Sequence, residues 1–366
     1  MKTLLSDTDI SLKEEIYSFL VNNFKNKKDI DLKSLWKSLY KNSFISENNS
    51  FTKNVLLTES VCKFKPGLGL FLLTQFSCIE IVKTYGSENL KAQYLSKLIS
   101  GESIASFALT EPNAGSDVTM IETTAKEDKR NSWIINGHKI WSSNAPISDL
   151  VIFFAQTKEH KNKTGITCFI TESNLKEIKI APSTPKLGVQ ISPSSEILIK
   201  DLKVNKEQLA GNIGDGIKIA LGTITFGRIY CAAQATGLLE GILEEAVKHS
   251  TKRNQFGKAI SDNQAIKWYL ADMTKDLDAC KMLLYKACWA EANKKEELNK
   301  LSSMAKYFCS SKAQEQSRYA VQILGGKGLN EDSYVAEAYR DSKVLEIYEG
   351  TNEIQKLIIC KELQLN

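Results

Sequence analysis

Along residues 10–98 the apolar positions recur every three or four residues. Leu12, Ile16 and Phe19 share one face, and Ile79, Ile81 and Val82 run up to the Tyr85-Gly86-Ser87 break. That period predicts helices. Residues 42–52 form a polar run without it and predict a loop. The texture changes near Ser106. Trp133-Ile134-Ile135 and His138-Lys139-Ile140-Trp141 flank Asn136-Gly137, the strongest short signal for a hairpin turn, so a hairpin is predicted there. Residues 151–155, 166–170 and 196–204 add short β-rich runs between polar or Gly/Pro turns. After Gly211-Asn212-Ile213-Gly214-Asp215-Gly216 the helical period returns. Ile266, Leu270, Met273, Leu277, Cys280, Leu284 and Ala287 then alternate spacings of four and three, as one face of a long bundle helix requires. A polar break at Asn293-Lys294-Lys295 precedes another helix through Met304 and Phe308. The order predicts an α+β chain in three parts: an N-terminal all-α domain (1–105), a middle antiparallel β domain (106–212) and a C-terminal four-helix bundle (213–366).

At 366 residues, two or three domains are the natural expectation. A hydrophobic share of 42% with 25% charged residues excludes disorder and fibres. The net charge of +5 is mild and scattered, which argues against a nucleic-acid groove and suits an anionic ligand or acidic partner. Eight cysteines lie apart with no C-x-x-C pair, and only three histidines accompany them, so no metal-ligand set is expected. The cysteines read as reduced core residues. The stretch from Met1 to Asp9 lacks the apolar core of a signal peptide, and apolar clusters such as residues 68–73 fall short of a bilayer span. A cytoplasmic protein without membrane insertion is expected.

Several short stretches carry candidate chemistry. Leu109-Thr110-Glu111-Pro112-Asn113-Ala114-Gly115-Ser116-Asp117 is a turn whose hydroxyls and amides suit a carbonyl or phosphate oxygen, or simply a surface loop. Trp141-Ser142-Ser143-Asn144 offers an aromatic plate with a hydroxyl two residues on; a core tryptophan beside a solvent-facing serine fits as well. Arg253 through Phe256-Gly257 brings a guanidinium fork and a stacking face. Gln322 through Gly325-Gly326 allows close backbone approach, but it is no dinucleotide fingerprint because it follows a helix. Near the C-terminus, Glu349 sits between Tyr348 and Gly350. There, burial would raise its pKa toward that of a general base, whereas a solvated glutamate near a helix start is the plainer reading.

Taken together, the order and wording of these stretches resemble the acyl-CoA dehydrogenase family, from about Tyr85 to the C-terminus. The resemblance implies FAD bound between the β domain and the bundle, in part by a neighbouring subunit. In that pattern Thr110 bonds the flavin's pyrimidine edge, Trp141 flanks the ring and Ser143 reaches its N5 side. Ser116, Arg253 and Phe256 hold the pyrophosphate and adenosine half, and Gln322, Gly325, Gly326 and Thr351 complete the cofactor contacts. Glu349 falls on the family's catalytic base. It implies removal of the α-proton of an acyl thioester while hydride leaves the β-carbon for the flavin, with the base's backbone N–H stabilising the enolate. Thr225, Arg228, Tyr348 and Gly350 are the implied substrate contacts. Some relatives carry the base just before the helix arginine; here that position is Gly227, which cannot serve.

Departures from the family pattern bear on the substrate. Thr225 stands where an acidic residue is usual, Gln190 replaces an arginine, Ser143 replaces threonine, and the polar run 42–52 replaces a Pro-x-x-Tyr-Gly-Gly segment. The implied activity is FAD-dependent dehydrogenation of acyl-CoA to the trans-2-enoyl thioester, with electrons passing to an electron-transfer flavoprotein. One alternative is a dehydrogenase or oxidase of acyl groups on an acyl carrier protein, which the basic surface would suit. A second is a flavoprotein without dehydrogenase activity. A homo-oligomer, tetramer or dimer, is implied.

Overall fold

The computed structural model describes residues 5–25, 27, 29–129, 131–157 and 165–363. Residues 1–4 of the stretch examined for a leader lie outside the described residues. The chain begins with α1 (Asp7–Phe24), α2 (Leu32–Lys41), α3 (Phe51–Phe64), α4 (Leu68–Tyr85), α5 (Glu88–Leu90) and α6 (Ser96–Ser100). Starts are set by side-chain caps: Ser6, Asp31 and Ser50 each accept from a backbone N–H of the first turn. The cap at Ser50 closes the predicted polar loop at Phe51, two residues early. α4 is apolar on most faces because it packs against two cores. Phe71 and Leu72 join the helical core, while Cys78, Ile81 and Val82 join the core beneath the sheet. By length and composition α4 could cross a membrane, which extends the apolar cluster read from residues 68–73; 72% of it is buried inside the protein.

The middle segment holds β1 (Ala105–Ala108), β2 (Thr124–Lys129), β3 (Ser132–Ser143), β4 (Leu150–Gln156), β5 (Ile166–Glu172), β6 (Ile178–Ile180), β7 (Ser194–Asn205) and β8 (Leu209–Ala210). They form one sheet in the order β6-β7-β3-β1-β4-β5-β8, with β2 alongside β3. The expected antiparallel domain is corrected to a mixed sheet. β1 runs parallel to β4 from Ala105 opposite Leu150 to Ala108 opposite Phe153, because β1 enters the sheet from the helical segment rather than by a hairpin.

The predicted hairpin at Asn136-Gly137 is also corrected. β3 runs straight through the dipeptide, and the reversal lies at Asn131, whose φ is +66°. Tertiary contacts account for both residues. Asn136 accepts from Asp201 N at 2.9 Å and donates to Asp201 Oδ1 at 3.2 Å across an irregularity in the β3–β7 ladder. A Cβ on Gly137 would lie 2.1 Å from Thr123 Oγ1, so glycine is needed for close approach, not for a turn.

The C-terminal segment contains α7 (Gly216–Lys252), a small β9 (Asn254–Gln255) and β10 (Lys258–Ala259) hairpin, then α8 (Gln264–Asn293), α9 (Lys295–Leu324), α10 (Tyr334–Ser342) and α11 (Asn352–Glu362). α8 is the long bundle helix that the four-and-three spacing predicts; it packs with α7 and α9, and α11 packs on α9. α7 also packs on α3 and α4, so the N-terminal helices and the bundle share one core. Seven cysteines are buried as expected; Cys360 is exposed, on the outer face of α11.

Candidate active site

Glu349 lies in the turn between α10 and α11. Its φ is +56° and that of Gly350 is +83°. A side-chain-bearing residue in the left-handed region costs ~1 kcal/mol or more, so the surroundings must hold it there. Gln355, fully buried on α11, donates from Nε2 to Glu349 O at 3.1 Å and to Gly350 O at 2.8 Å. Thr351, expected at the cofactor, uses its hydroxyl to cap α11, accepting from Ile354 N at 3.3 Å. The carboxylate rests directly on α7. A Cβ at Gly227 would stand 2.0 Å from Glu349 Oε2 and 2.6 Å from its Cδ. Burial pushes the carboxyl up to about 7, against the pull of the Arg228 and Lys306 charges.

A second group forms where β1 leaves the sheet beside the end of β3. Ile140 N donates to Thr110 O at 2.9 Å, which sets Thr110 next to Trp141. Ser143 pairs with Phe107 of β1. Trp141 takes φ +55° where the ladder slips between Lys139 and Ser142, and its indole is 55% exposed. The slip breaks strand alternation, so the plate and the Ser143 hydroxyl are not simply on one side as spacing suggested. Ser143 Oγ is half-buried and 3.4 Å from Ser194 Oγ. Ser116, in the same loop as Thr110, is exposed.

Buried hydrogen bonds tie this seam to Glu349 across the start of α4. Ser192 Oγ, just before β7, donates to Gly67 O at 2.7 Å and accepts from Phe71 N at 3.0 Å. Gln234 of α7 donates to Pro66 O at 2.8 Å, and the Tyr348 hydroxyl donates to Gln234 Oε1 at 2.5 Å. Asp341 accepts from Val189 N in the loop before β7, where burial raises its carboxyl to about 7.

Other predicted residues make different contacts. Thr225 bonds back to Leu221 O at 2.9 Å, within its own helix. Arg228 is turned into the α7–α9 interface, 5% exposed, donating to Asn299 Oδ1 at 2.8 Å and Ser303 Oγ at 3.3 Å with its Nε unpartnered. Arg253, Phe256, Gln322, Gly325 and Gly326 gather at the far end of the bundle, all exposed. At ~1.5 Å per residue, Arg253 is about 39 Å along α7 from Gly227, so one chain does not bring this grip to the Thr110–Trp141 seam or to Glu349. Two cavities, of about 700 and 380 Å³, include neither Glu349 nor Trp141; the smaller lies between the 42–52 loop, α4 and α7.

Sequence reading missed the residues that hold these groups in place. Lys139 is fully buried and bonds Glu111 Oε1 at 2.6 Å and Leu109 O at 3.3 Å, while Glu111 also accepts from Thr123 N at 3.1 Å. The pair pins the Thr110 loop to β3. Its available signal is the inward register Lys139 shares with Trp133 and Ile135 in the alternating strand. Gln355, Gln234 and Lys306 gave no signal, because a lone polar residue in a helical period marks nothing by itself.

The residues present fit a flavin. The donor set combines an exposed aromatic plate, hydroxyls at Thr110 and Ser116, and glycines at 115, 325 and 326 with open space on the Cβ side. Comparison with known proteins points the same way. Residues 106–202 match the acyl-CoA dehydrogenase middle domain, and residues 214–364 match the acyl-CoA dehydrogenase C-terminal domain. The chain is 40% identical to a 3-(aryl)acrylate reductase of Clostridium sporogenes, covering 76% of this chain and 73% of that one. It is 38% identical to the caffeyl-CoA reductase–Etf complex subunit CarC of Acetobacterium woodii, covering 75% and 72%. The solved butyryl-CoA dehydrogenase of Megasphaera elsdenii superposes with a TM-score of 0.90 at 31% identity, over 98% of this chain and 99% of that one.

Proposed function

The chain belongs to the acyl-CoA dehydrogenase family, and from that premise we propose that it is an FAD-dependent acyl-CoA dehydrogenase in which Glu349 is the catalytic base. One observation carries the assignment: the Glu349 carboxylate is half-buried, raised to about 7 and seated on Gly227, where any side chain would displace it. FAD, when bound, accepts the hydride from the substrate's β-carbon. Glu349 takes the α-proton. Its fixed left-handed backbone, held by Gln355, orients the N–H that would meet the thioester oxygen and so lowers the cost of the enolate. Thr110, Trp141 and Ser143 would hold the flavin ring. Arg253, Phe256, Gln322, Gly325 and Gly326 would hold the pyrophosphate and adenosine half of a neighbouring subunit's cofactor, which makes a homo-oligomer part of the reading.

Coenzyme A, rather than a carrier protein, is the thioester favoured by the relatives' names. The name of the Acetobacterium relative favours an electron-transfer flavoprotein as redox partner. Two of the relatives are named as reductases, which favours a second reading in which the same carbon–carbon bond is run in the reducing direction. Anaerobic mixing of the flavin-loaded protein with butyryl-CoA and 3-phenylpropanoyl-CoA tests the assignment. The wild type should bleach with at least one of them. Glu349→Gln should retain FAD and bleach at least ~10³-fold more slowly, and bleaching at the wild-type rate would exclude Glu349 as base.

A further inference from the structure

We infer that Lys306 of α9 is a positioning residue for the Glu349 base: it anchors the first turn of α11 through Asn352, and its buried ammonium favours the ionised carboxylate. This rests on the reading of Glu349 as base. Lys306 is 0% exposed, on the face of α9 that also carries Ser302, Ser303, Cys309 and Ser310. Its Nζ donates to Asn352 Oδ1 at 2.9 Å. Ser310 Oγ donates to the same oxygen at 2.9 Å, and Asn352 Nδ2 donates to Ser311 Oγ at 3.1 Å and Glu346 Oε1 at 3.5 Å. Asn352 is the first residue of α11, three positions before Gln355, which holds the Glu349-Gly350 turn. The ammonium therefore fixes the helix start from which the base is aimed.

Hydrogen bonding alone does not account for a lysine here. An amide would satisfy Asn352 without burying a charge, and an ammonium in the interior costs several kcal/mol unless an opposite charge answers it. Among the described residues Lys306 makes no ion pair within 4.0 Å. Its charge faces the Cys231 thiol on α7, Glu349 and Glu346 in the turn, and Glu353 on α11. Burial lowers its pKa and those groups oppose the fall. Glu349 in turn faces Arg228 from α7 and Lys306 from α9, and Arg228 is already committed to Asn299 and Ser303. Of these acids, Glu349 is the one whose ionisation the proposed reaction requires, and that is the use a buried cation has here.

The test is the pH dependence of anaerobic flavin bleaching by butyryl-CoA or 3-phenylpropanoyl-CoA, whichever bleaches the wild type faster, in flavin-loaded wild type, Lys306→Gln, Lys306→Met and Asn352→Asp. Lys306→Gln keeps a donor to Asn352 and removes only the charge. Its base-limb pKa should move to higher pH by about 0.5–1 unit. A full unit from a wild-type value near 7 would slow bleaching about fivefold at pH 7, with recovery above about pH 9. Asn352→Asp, which neutralises Lys306 in place, should shift the limb in the same direction. Lys306→Met should add a rate loss that alkaline pH does not restore, because the anchor is gone. A profile in Lys306→Gln that superimposes on wild type, or a uniform loss at every pH, overturns the inference whether or not Lys306→Met folds. Bleaching by Glu349→Gln would instead remove the base assignment itself, so the two failures are distinguishable.

Discussion

At the residue scale the site turns on one contact, the Glu349 carboxylate against Gly227. The sequence already excludes Gly227 as an alternative base, since glycine has no side chain. The structure adds that a side chain there would occupy the space of Glu349, the proposed base. Gly227→Ala separates stability from activity. Alanine in the middle of α7 favours the helix by ~1 kcal/mol, while its methyl, 2.0 Å from Glu349 Oε2, must push the carboxylate out of line. A displacement near 1 Å costs about 100-fold in rate. Gly227→Ala should therefore melt no lower than wild type by calorimetry and bleach its flavin about 100-fold more slowly. An active Gly227→Ala would mean the base reaches substrate from another position. Glu349 was legible through its neighbours Tyr348 and Gly350, but its left-handed backbone was not, because the Gln355 bonds that hold it come from six residues on in a separate helix.

At the scale of elements, helices were read well and strand pairing was not. The period of four and three in α8 depends on one chain's own apolar face, so it is visible in sequence. Pairing depends on partners. Asn136-Gly137 has the composition of a turn, yet Asp201 and Thr123 bind it into the middle of β3. The same is true of the Thr110 loop, whose placement rests on the buried Lys139–Glu111 pair. Burial lowers the Lys139 ammonium to about 8 against the pull of Glu111. For Glu111, burial works upward, but Lys139 and the Thr123 and Glu122 donors outweigh it and hold the carboxyl below its usual range. Removing one partner strands a charge. Lys139→Met alone should lower stability by about 3–5 kcal/mol in urea unfolding, and the double variant Lys139→Met with Glu111→Leu should recover most of that. Fluorescence of Trp141 would report whether the loop still lies against β3. A double variant no more stable than the single would show that Glu111 acts through its backbone donors alone.

At the scale of the whole molecule, one chain holds the two residue groups proposed for a flavin site at opposite ends of a long helix. The Thr110–Trp141 seam and Glu349 lie toward the start of α7, and Arg253 and Phe256 stand beyond its end. Phe256 is 100% exposed at the tip of the β9–β10 hairpin, with φ +52°, and Gly257 follows at +77°. Leu329, in the turn after α9, is 77% exposed. A bare aromatic on a strained turn gives a lone chain nothing, since it packs against no part of the fold. In the proposed reading it gains a purpose: the tip would reach a second copy and stack on the adenosine half of the cofactor held there, with the Arg253 fork on the pyrophosphate. Phe256→Ser should therefore leave the helix content and urea midpoint of the apoprotein unchanged, because no intrachain contact is lost. The same variant should lower the FAD-to-protein absorbance ratio and shift sedimentation velocity toward smaller species. Arg253→Glu should lose FAD more severely, by placing a carboxylate against the pyrophosphate, and added salt should not restore it. Full FAD content with an unchanged sedimentation coefficient in both variants would mean that each chain completes its own flavin site, and the exposed tip would then serve some other contact.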